Sequence, residues 1–293
     1  MASLKEIKAR INSVESTQKI TNAMKMVSAA KLKKVESKTM KFLPYKNKLY
    51  EALTNYLGSL EEKVSIPLAE KRNVNKVILM AFSSNSGLCG VYNSNISRLL
   101  LEAYNEYGQS IGKENIIVYA VGKKINEFAD KNGIHVEKTF NKMSDKPTFE
   151  DACEISDTFV KMFLDGNVDK VEMIYNHYKN TGVQVPQRDT VLPLSTQDLG
   201  TSRARTLSYI VEPSKDEFVN ELVPKVIRTN IFSIMLDANT AEHAARTTAM
   251  HIASDNANEL SQDLKLEYNK ARQEVITDEL IDIVGGAEAL KKK

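Results

Sequence analysis

The sequence predicts an α/β domain carried between two long terminal helices that pair as an antiparallel coiled coil, and three observations lead there. Glycine is confined to the middle of the chain: all twelve lie between Gly58 and Gly200, except the Gly285–Gly286 pair. Residues 1–43 and residues 225–284 contain neither glycine nor proline, so nothing in either stretch breaks a helix. Charge separates by end: residues 1–41 hold ten Lys/Arg against three Asp/Glu, net +7, whereas residues 214–293 hold ten against fourteen, net −4. Opposite signs favour pairing, and a chain that leaves along one helix, builds a middle domain and returns along the other makes the pair antiparallel. The alternative, two helices inside an ordinary bundle, is opposed by length, since the second stretch alone would span about 90 Å.

Taken in order, the first helix carries Leu4, Ile7, Ile11 and Val14 at heptad-like spacing. After a polar gap at Ser16, Thr17, Gln18 and Lys19 the apolar pattern resumes with Ile20, Met24 and Val27. In the middle, Lys76 to Phe82 reads as a buried strand, Val91 to Tyr107 as a helix, Ile116 to Val121 as a second strand and Lys123 to Lys131 as a helix, a βαβ beginning. A strand near His135 to Phe140, a helix over Phe149 to Leu164, and strands at Lys170 to Tyr178 and Val183 to Leu194 complete an α/β sandwich, the last two joined as a hairpin across Asn180-Thr181-Gly182. On the last helix Leu222, Val226, Asn230, Ile234, Ala238, Ala241, Ala245, Ala249, Ile252, Asn256 and Leu260 recur at three or four residues, and a partner helix is expected along this face.

Composition narrows the function. With 293 residues, 42% hydrophobic and 27% charged, the chain is a folding globular type, and a net charge of +2 does not by itself imply a nucleic-acid partner. The two cysteines, Cys89 and Cys153, lack CxxC spacing, and His135, His177, His243 and His251 show no metal-ligand pattern. The N-terminus lacks the apolar core of a signal peptide, and no stretch reaches the roughly 18 apolar residues of a membrane span, so a soluble chain or one peripheral to a membrane is expected.

Most enzyme-like is Ser83-Ser84-Asn85-Ser86-Gly87-Leu88-Cys89-Gly90, a small-residue turn after the first strand and before a helix, where backbone amides can hold an anion. Neither GxGxxG nor GxxxxGK[ST] is present, so nucleotide binding is disfavoured. Cys89 reads as a small buried residue rather than an activated thiolate, for want of a neighbouring base. His243 and His251 are eight apart, too far for an i,i+4 metal pair, and read as surface or partner-facing. Lys25, Lys31, Lys33, Lys34, Lys38 and Lys41 could face phosphates, but no aromatic residues interleave and an acidic partner helix explains them as well. The residues alone therefore point to a structural or interaction protein before an enzyme. A helical adaptor or scaffold and a small nucleotide-binding α/β enzyme are the alternatives, and the second would bind nucleotide alone through the turn 83–90.

The run from Ile7 to Val27, IKARINSVESTQKITNAMKMV, closely resembles the opening helix of F-type ATP synthase gamma subunits. A second match lies at Tyr268-Asn269-Lys270-Ala271-Arg272-Gln273, followed by Ile276-Thr277-Asp278-Glu279-Leu280 and Ile283-Val284-Gly285-Gly286-Ala287, similar to that family's C-terminal signature. The resemblance implies a coiled coil of residues 1–58 and 213–286 around a central Rossmann-like α/β domain, 74–205. It further implies a non-catalytic rotor shaft that couples proton flow to the catalytic sites of beta and helps regulate ATPase activity. One copy would meet three alpha and three beta subunits, epsilon and the c-ring, peripheral on the cytoplasmic face of a bacterial plasma membrane. No cofactor, metal, nucleic acid or membrane insertion is implied. Arg272 and Gln273 match positions that hydrogen-bond a loop of beta; Thr277, Glu279 and Asp282 fall on the adjoining surface, with Asp282 shortening a common glutamate. Met24 matches a position facing beta, and Arg246 a position coupled to it. The family often has an acidic and a basic residue where this chain has Asn85 and Ser86, and the cysteine-bearing insertion of the chloroplast branch is not seen.

Overall fold

The computed structural model describes residues 3–59, 66–194 and 215–291; the expected domain limits at 205 and 213 lie outside them. The chain divides into two compact units, 28–246 and the pair of segments 1–27 with 247–293.

The larger unit is built on a five-stranded sheet of order β3-β2-β1-β4-β5. Its strands are β1 (Val77–Phe82), β2 (Ile116–Val121), β3 (Val136–Phe140), β4 (Lys170–Asn180) and β5 (Val183–Leu192). The first four are mutually parallel where they pair, with Val77 opposite both Ile116 and Lys170, and β5 returns antiparallel to β4. Strand β1 is central, and every one of its residues is buried, which is why it reads as an unbroken apolar run rather than an alternation. Its side chains divide between two layers. Val77, Leu79 and Ala81 join Ile96, Leu100 and Ala103 of α2 (Tyr92–Ser110) and Ile125 and Ala129 of α3 (Lys123–Lys131) on one face. Ile78, Met80 and Phe82 join Ile155, Phe159 and Phe163 of α5 (Phe149–Leu164) on the other, together with residues of the two terminal helices.

Local chemistry sets the boundaries. Helix α5 opens on a capping box: Thr148 Oγ1 accepts from Asp151 N at 3.2 Å and Asp151 Oδ2 accepts from Thr148 N at 3.1 Å, which satisfies two otherwise orphaned donors. The hairpin turns where Asn180 Oδ1 accepts from Gly182 N at 2.9 Å, a side chain standing in for a turn carbonyl. A short helix α4 (Asn141–Asp145), too brief to leave a periodic signature, follows β3.

The terminal helices are α1 (Leu4–Ser59) and α6 (Lys215–Lys291). Each passes through a proline, Pro44 and Pro224, and α6 continues through Gly285–Gly286, so the punctuation in the sequence understates both. In α1 the inward positions form one uninterrupted 3,4 series, 4-7-11-14-18-21-25-28-32-35-39-42-46-49-53, each buried or half-buried. This corrects the expected resumption at Ile20 and Val27, which are 60% and 57% exposed. The helical period carries Gln18, Thr21, Lys25 and Ser28 inward instead, and geometry overrides hydrophobicity.

Helix α6 changes character along its length. From 238 to 246 every residue is buried, because the unit surrounds it. Beyond, the expected stripe through Ile252, Asn256 and Leu260 faces solvent, with Ile252 55% and Leu260 50% exposed; the buried positions are Met250, Ser254, Ala257, Ser261 and Leu264. Small residues let two helices approach closely: Ser254, Ala257 and Ser261 occupy the seam between Met250 and Leu264, while Ile252 and Leu260 are left outside. Within the smaller unit α1 and α6 run antiparallel: Glu15 meets Lys265 at 2.7 Å and Gln18 Nε2 donates to Asn258 Oδ1 at 3.3 Å, so the partner's number falls as that of α1 rises.

Candidate functional site

The seam of α6 ends at the half-buried Ala271, and residues 272–287 are exposed on every side. Val275, Ile276, Leu280, Ile281, Ile283 and Val284 all face solvent, from 41% for Val275 to 67% for Ile283. At 100° per residue, Ile276, Leu280, Ile283 and Val284 form one stripe that also takes in Gln273 and Thr277, while Arg272, Glu279 and Asp282 fall to one side of it. The five expected contact residues of this helix are thus all placed on its bare end. Thr277 returns its hydroxyl to Gln273 O at 2.8 Å, keeping a polar group quiet on the apolar stripe. A Cβ added at Gly285 or Gly286 would meet nothing within 4 Å, so no packing inside this chain asks for glycine there, although each costs a helix about 1 kcal/mol relative to alanine. A contiguous apolar helix face is the kind of surface on which helices dock.

Arg246 is placed differently. It is 8% exposed, and its guanidinium donates to Gly87 O at 2.5 Å, Ser86 O at 3.3 Å and Glu242 Oε1 at 2.7 Å. Its charge is paired with Glu242, and its remaining donors go to carbonyls of the turn 83–90. Glu242 carries a carboxyl raised by burial and drawn back by Arg246. Inside the turn, Leu88 and Gly90 adopt positive φ of 64° and 58°, and Ser84 donates to Ser86 O at 2.6 Å while its N–H reaches Asn93 Oδ1 at 3.0 Å. Asn85 donates to Asn141 O at 2.8 Å and Asp145 Oδ2 at 2.7 Å and accepts from Lys123 N at 3.1 Å. The hydroxyls of Ser83 and Ser84 and their backbone N–H groups are all engaged within the chain, which leaves the start of the turn little to offer a phosphate. Cys89 is 1% exposed and its thiol is pushed up by burial, the state of a packed residue rather than a nucleophile. Met24, half-buried on α1, belongs to the smaller unit and Arg246 to the larger.

His243 overturns its sequence reading: it is 6% exposed, because α6 is enclosed where it stands. Its pKa falls from 6.5 to about 4, first through burial and then through Lys31 and Arg246, against a small opposing pull from Asp145. A folded-state pKa below the unfolded value means that the unfolded chain takes up the proton first. Stability is therefore full above pH 6.5 and is lost as pH falls from there towards 4. The loss should total about 3 kcal/mol; denaturant midpoints measured across that window should show it, and His243→Gln should remove the slope.

Sequence reading missed one cluster altogether. Glu172, 3% exposed in the apolar run of β4, receives hydrogen bonds from Tyr107 OH at 2.8 Å, Lys170 Nζ at 2.7 Å and the Arg188 guanidinium. Arg188 reaches on to Glu106 at 2.5 Å, tying α2 to β4 and β5. The single signal was a carboxylate between Val171 and Met173, where burial demands a partner.

Among the described residues no group of three or more His, Cys, Asp or Glu could hold a metal ion, and no helix is long and apolar enough to cross a membrane.

A family model described as ATP synthase matches residues 3–290. An "ATP synthase gamma chain" of Phocaeicola vulgatus is 48% identical over 291 residues, 99% of this chain and all of that one. The protein of the same description from Bacteroides fragilis is 46% identical over 292 residues, again 99% of this chain and all of the relative. Among solved structures, a chain of the Euglena gracilis mitochondrial ATP synthase (OSCP/F1/c-ring) superposes with a TM-score of 0.67 at 19% identity, over 98% of this chain and 94% of that one. A chain of the Tetrahymena thermophila mitochondrial ATP synthase central stalk and c-ring gives 0.57 at 22% identity, over 80% and 99%. At those identities the likeness is one of fold.

Proposed function

This chain belongs to the ATP synthase gamma chain family, and from that premise we propose that it is the central rotor shaft of a proton-translocating F-type ATP synthase. It couples proton flow through the membrane sector to conformational change at catalytic sites on beta, and takes part in regulating ATPase activity. It is not itself catalytic and uses no cofactor.

The observation that carries this reading is the bare end of α6, where an apolar stripe flanked by Arg272, Glu279 and Asp282 has no partner among the described residues. Such a helix fits a sleeve formed by other subunits. In this reading residues 1–58 and 213–286 make the shaft and 74–205 a Rossmann-like domain that, with the lower shaft, meets epsilon and the c-ring. Three alpha and three beta subunits surround the upper shaft. One asymmetric helix end cannot touch three equivalent beta subunits alike, so its orientation gives each a different conformation, and rotation changes nucleotide affinity through differential contact. Arg272 and Gln273 hydrogen-bond a beta loop, Arg272 by its bidentate fork; Thr277, Glu279 and Asp282 lie on the adjoining surface, Met24 faces beta elsewhere on the shaft, and Arg246 is coupled to Met24. The complex sits peripherally on the cytoplasmic face of a bacterial plasma membrane, a reading supported by the bacterial source of the relatives.

Mixing this chain with cognate alpha and beta tests the reading. One copy per three alpha and three beta, ATPase activity only in the mixture, and rotation of a probe on the shaft are expected; turnover by the isolated chain, or no assembly, overturns it. Arg272→Ala should slow coupled synthesis roughly five- to tenfold, the scale of losing one charged interface anchor, and leave the melting temperature unchanged because the residue is exposed. Undiminished synthesis in the fully assembled variant would remove Arg272 from the contact.

A further inference from the structure

A cleft of about 510 Å3 opens in the larger unit between the middle of α1, the β4–β5 hairpin and α6. Its size falls within the range of small-molecule sites, and the rotor reading gives it no role. Three elements each contribute a carboxylate to its wall: Glu36 from α1, Asp189 from β5 and Asp237 from α6. Each is oriented by the hairpin. Tyr178 OH donates to Glu36 at 2.6 Å, Tyr175 OH to Asp189 at 2.7 Å, and Asp237 takes the backbone N–H of Tyr178 at 2.9 Å and meets His177 Nδ1 at 2.6 Å.

Among the described residues none of these three carboxylates is bridged by lysine or arginine. Lys46, the cationic lysine of the lining, gives its hydrogen bond to Ser233 Oγ at 3.0 Å instead. The wall thus sets three carboxylates against Lys46 and His177. Beside the charges, Met40 and Leu43 follow Glu36 along one face of α1 and Ile234 precedes Asp237 along α6, with Met40 73% and Leu43 39% exposed. The charged groups sit where water is scarce: burial lowers Lys46 against the pull of Asp237 and Asp189, and burial raises Asp237 against His177.

We propose that this cleft binds a small organic cation, an ammonium or guanidinium head among Glu36, Asp189 and Asp237 with its hydrocarbon body on Met40, Leu43 and Ile234. A bare metal ion is the wrong occupant, since no three of the described carboxylate, histidine and cysteine groups converge closely enough to ligate one. An anion would meet three carboxylates. The preorganised tyrosines hold the acceptors in place before the ligand arrives, and the occupied cleft joins α1 to the hairpin and to α6.

Calorimetric titration of the full chain at low ionic strength with 2-phenylethylammonium, 2-phenylethanol and 3-phenylpropionate separates the terms. The ammonium should bind saturably and at least about tenfold more tightly than the alcohol, with no heat from the carboxylate. Asp189→Asn and Glu36→Gln, which keep an acceptor for each tyrosine, should each weaken the ammonium roughly fivefold or more. Met40→Lys, a change at an exposed position that leaves the packed interior intact, should abolish its binding. Equal affinity for the alcohol, undiminished binding by the Met40→Lys chain, or no saturable uptake of the ammonium would each overturn the proposal.

Discussion

Gly122→Ala should lower the stability of the larger unit by about 4 kcal/mol or more. Gly122 sits at φ 91°, ψ 154°, a region that only glycine occupies without strain. A Cβ there would also stand 2.3 Å from Ser83 O and 2.8 Å from Ser83 C, and these are backbone atoms at the end of the central strand. They cannot step aside: Ser83 N bonds to Val121 O at 2.7 Å, and Lys124 N to Ser84 O at 3.1 Å. Gly133→Ala is the control, since its φ of 66° is also positive but nothing lies within 4 Å; it should cost about 1 kcal/mol. Thermal or urea unfolding of the two variants reads the difference, and equal losses would show that the close approach at Ser83 relaxes freely.

Glu172→Ala should cost about 3–5 kcal/mol, because it strands Arg188 and Lys170 beside a buried site with their partner gone. Removing Arg188 as well should recover part of that loss, the sign that the penalty belongs to the unpaired cation. Burial alone would raise the Glu172 carboxyl, but hydrogen bonds from Arg188, Lys170 and Tyr107 hold it below the ordinary 4.5. A depressed folded value means that this stabilisation is present above pH 4.5 and is lost as pH falls through the folded pKa. Acid unfolding of the unaltered chain should therefore include a step that Glu172→Gln lacks. A Glu172→Ala chain as stable as the parent would mean that the cluster contributes nothing net.

The sheet was legible in the sequence for identifiable reasons. A parallel strand covered on both faces must be apolar throughout, and the run from Val77 to Phe82 is. The α3 span from Lys123 to Lys131 and the turn at Asn180 and Gly182 carry their own local chemistry. The seam of the long helices was less legible, because a search for apolar residues follows Ile20 and Val27 outward when the period leads through Gln18, Thr21 and Ser28. The buried partners were invisible for another reason: Arg246 meets Gly87 and Ser86 across 159 and 160 positions of chain, and no local pattern encodes such a contact. His243 went wrong on the same account, since the enclosure of α6 is a tertiary fact. At the candidate site the five polar residues came from resemblance, while the exposed stripe from Ile276 to Val284 became visible only once the seam was seen to stop at Ala271.

The seam of the smaller unit has a mechanical consequence. Between Val14 and Ser28 its inward positions on α1 are Gln18, Thr21 and Lys25, and facing stretches of α6 turn Ser254, Ala257 and Ser261 inward. Such a surface lacks the bulky knobs that resist one helix gliding along another. The directional bond from Gln18 to Asn258 is then a pawl: it distinguishes one axial register from the next a heptad away, about 10 Å along the helix. Axial register in this unit therefore rests on polar contacts, that amide bond and the Glu15–Lys265 ion pair, as well as on the apolar residues on either side.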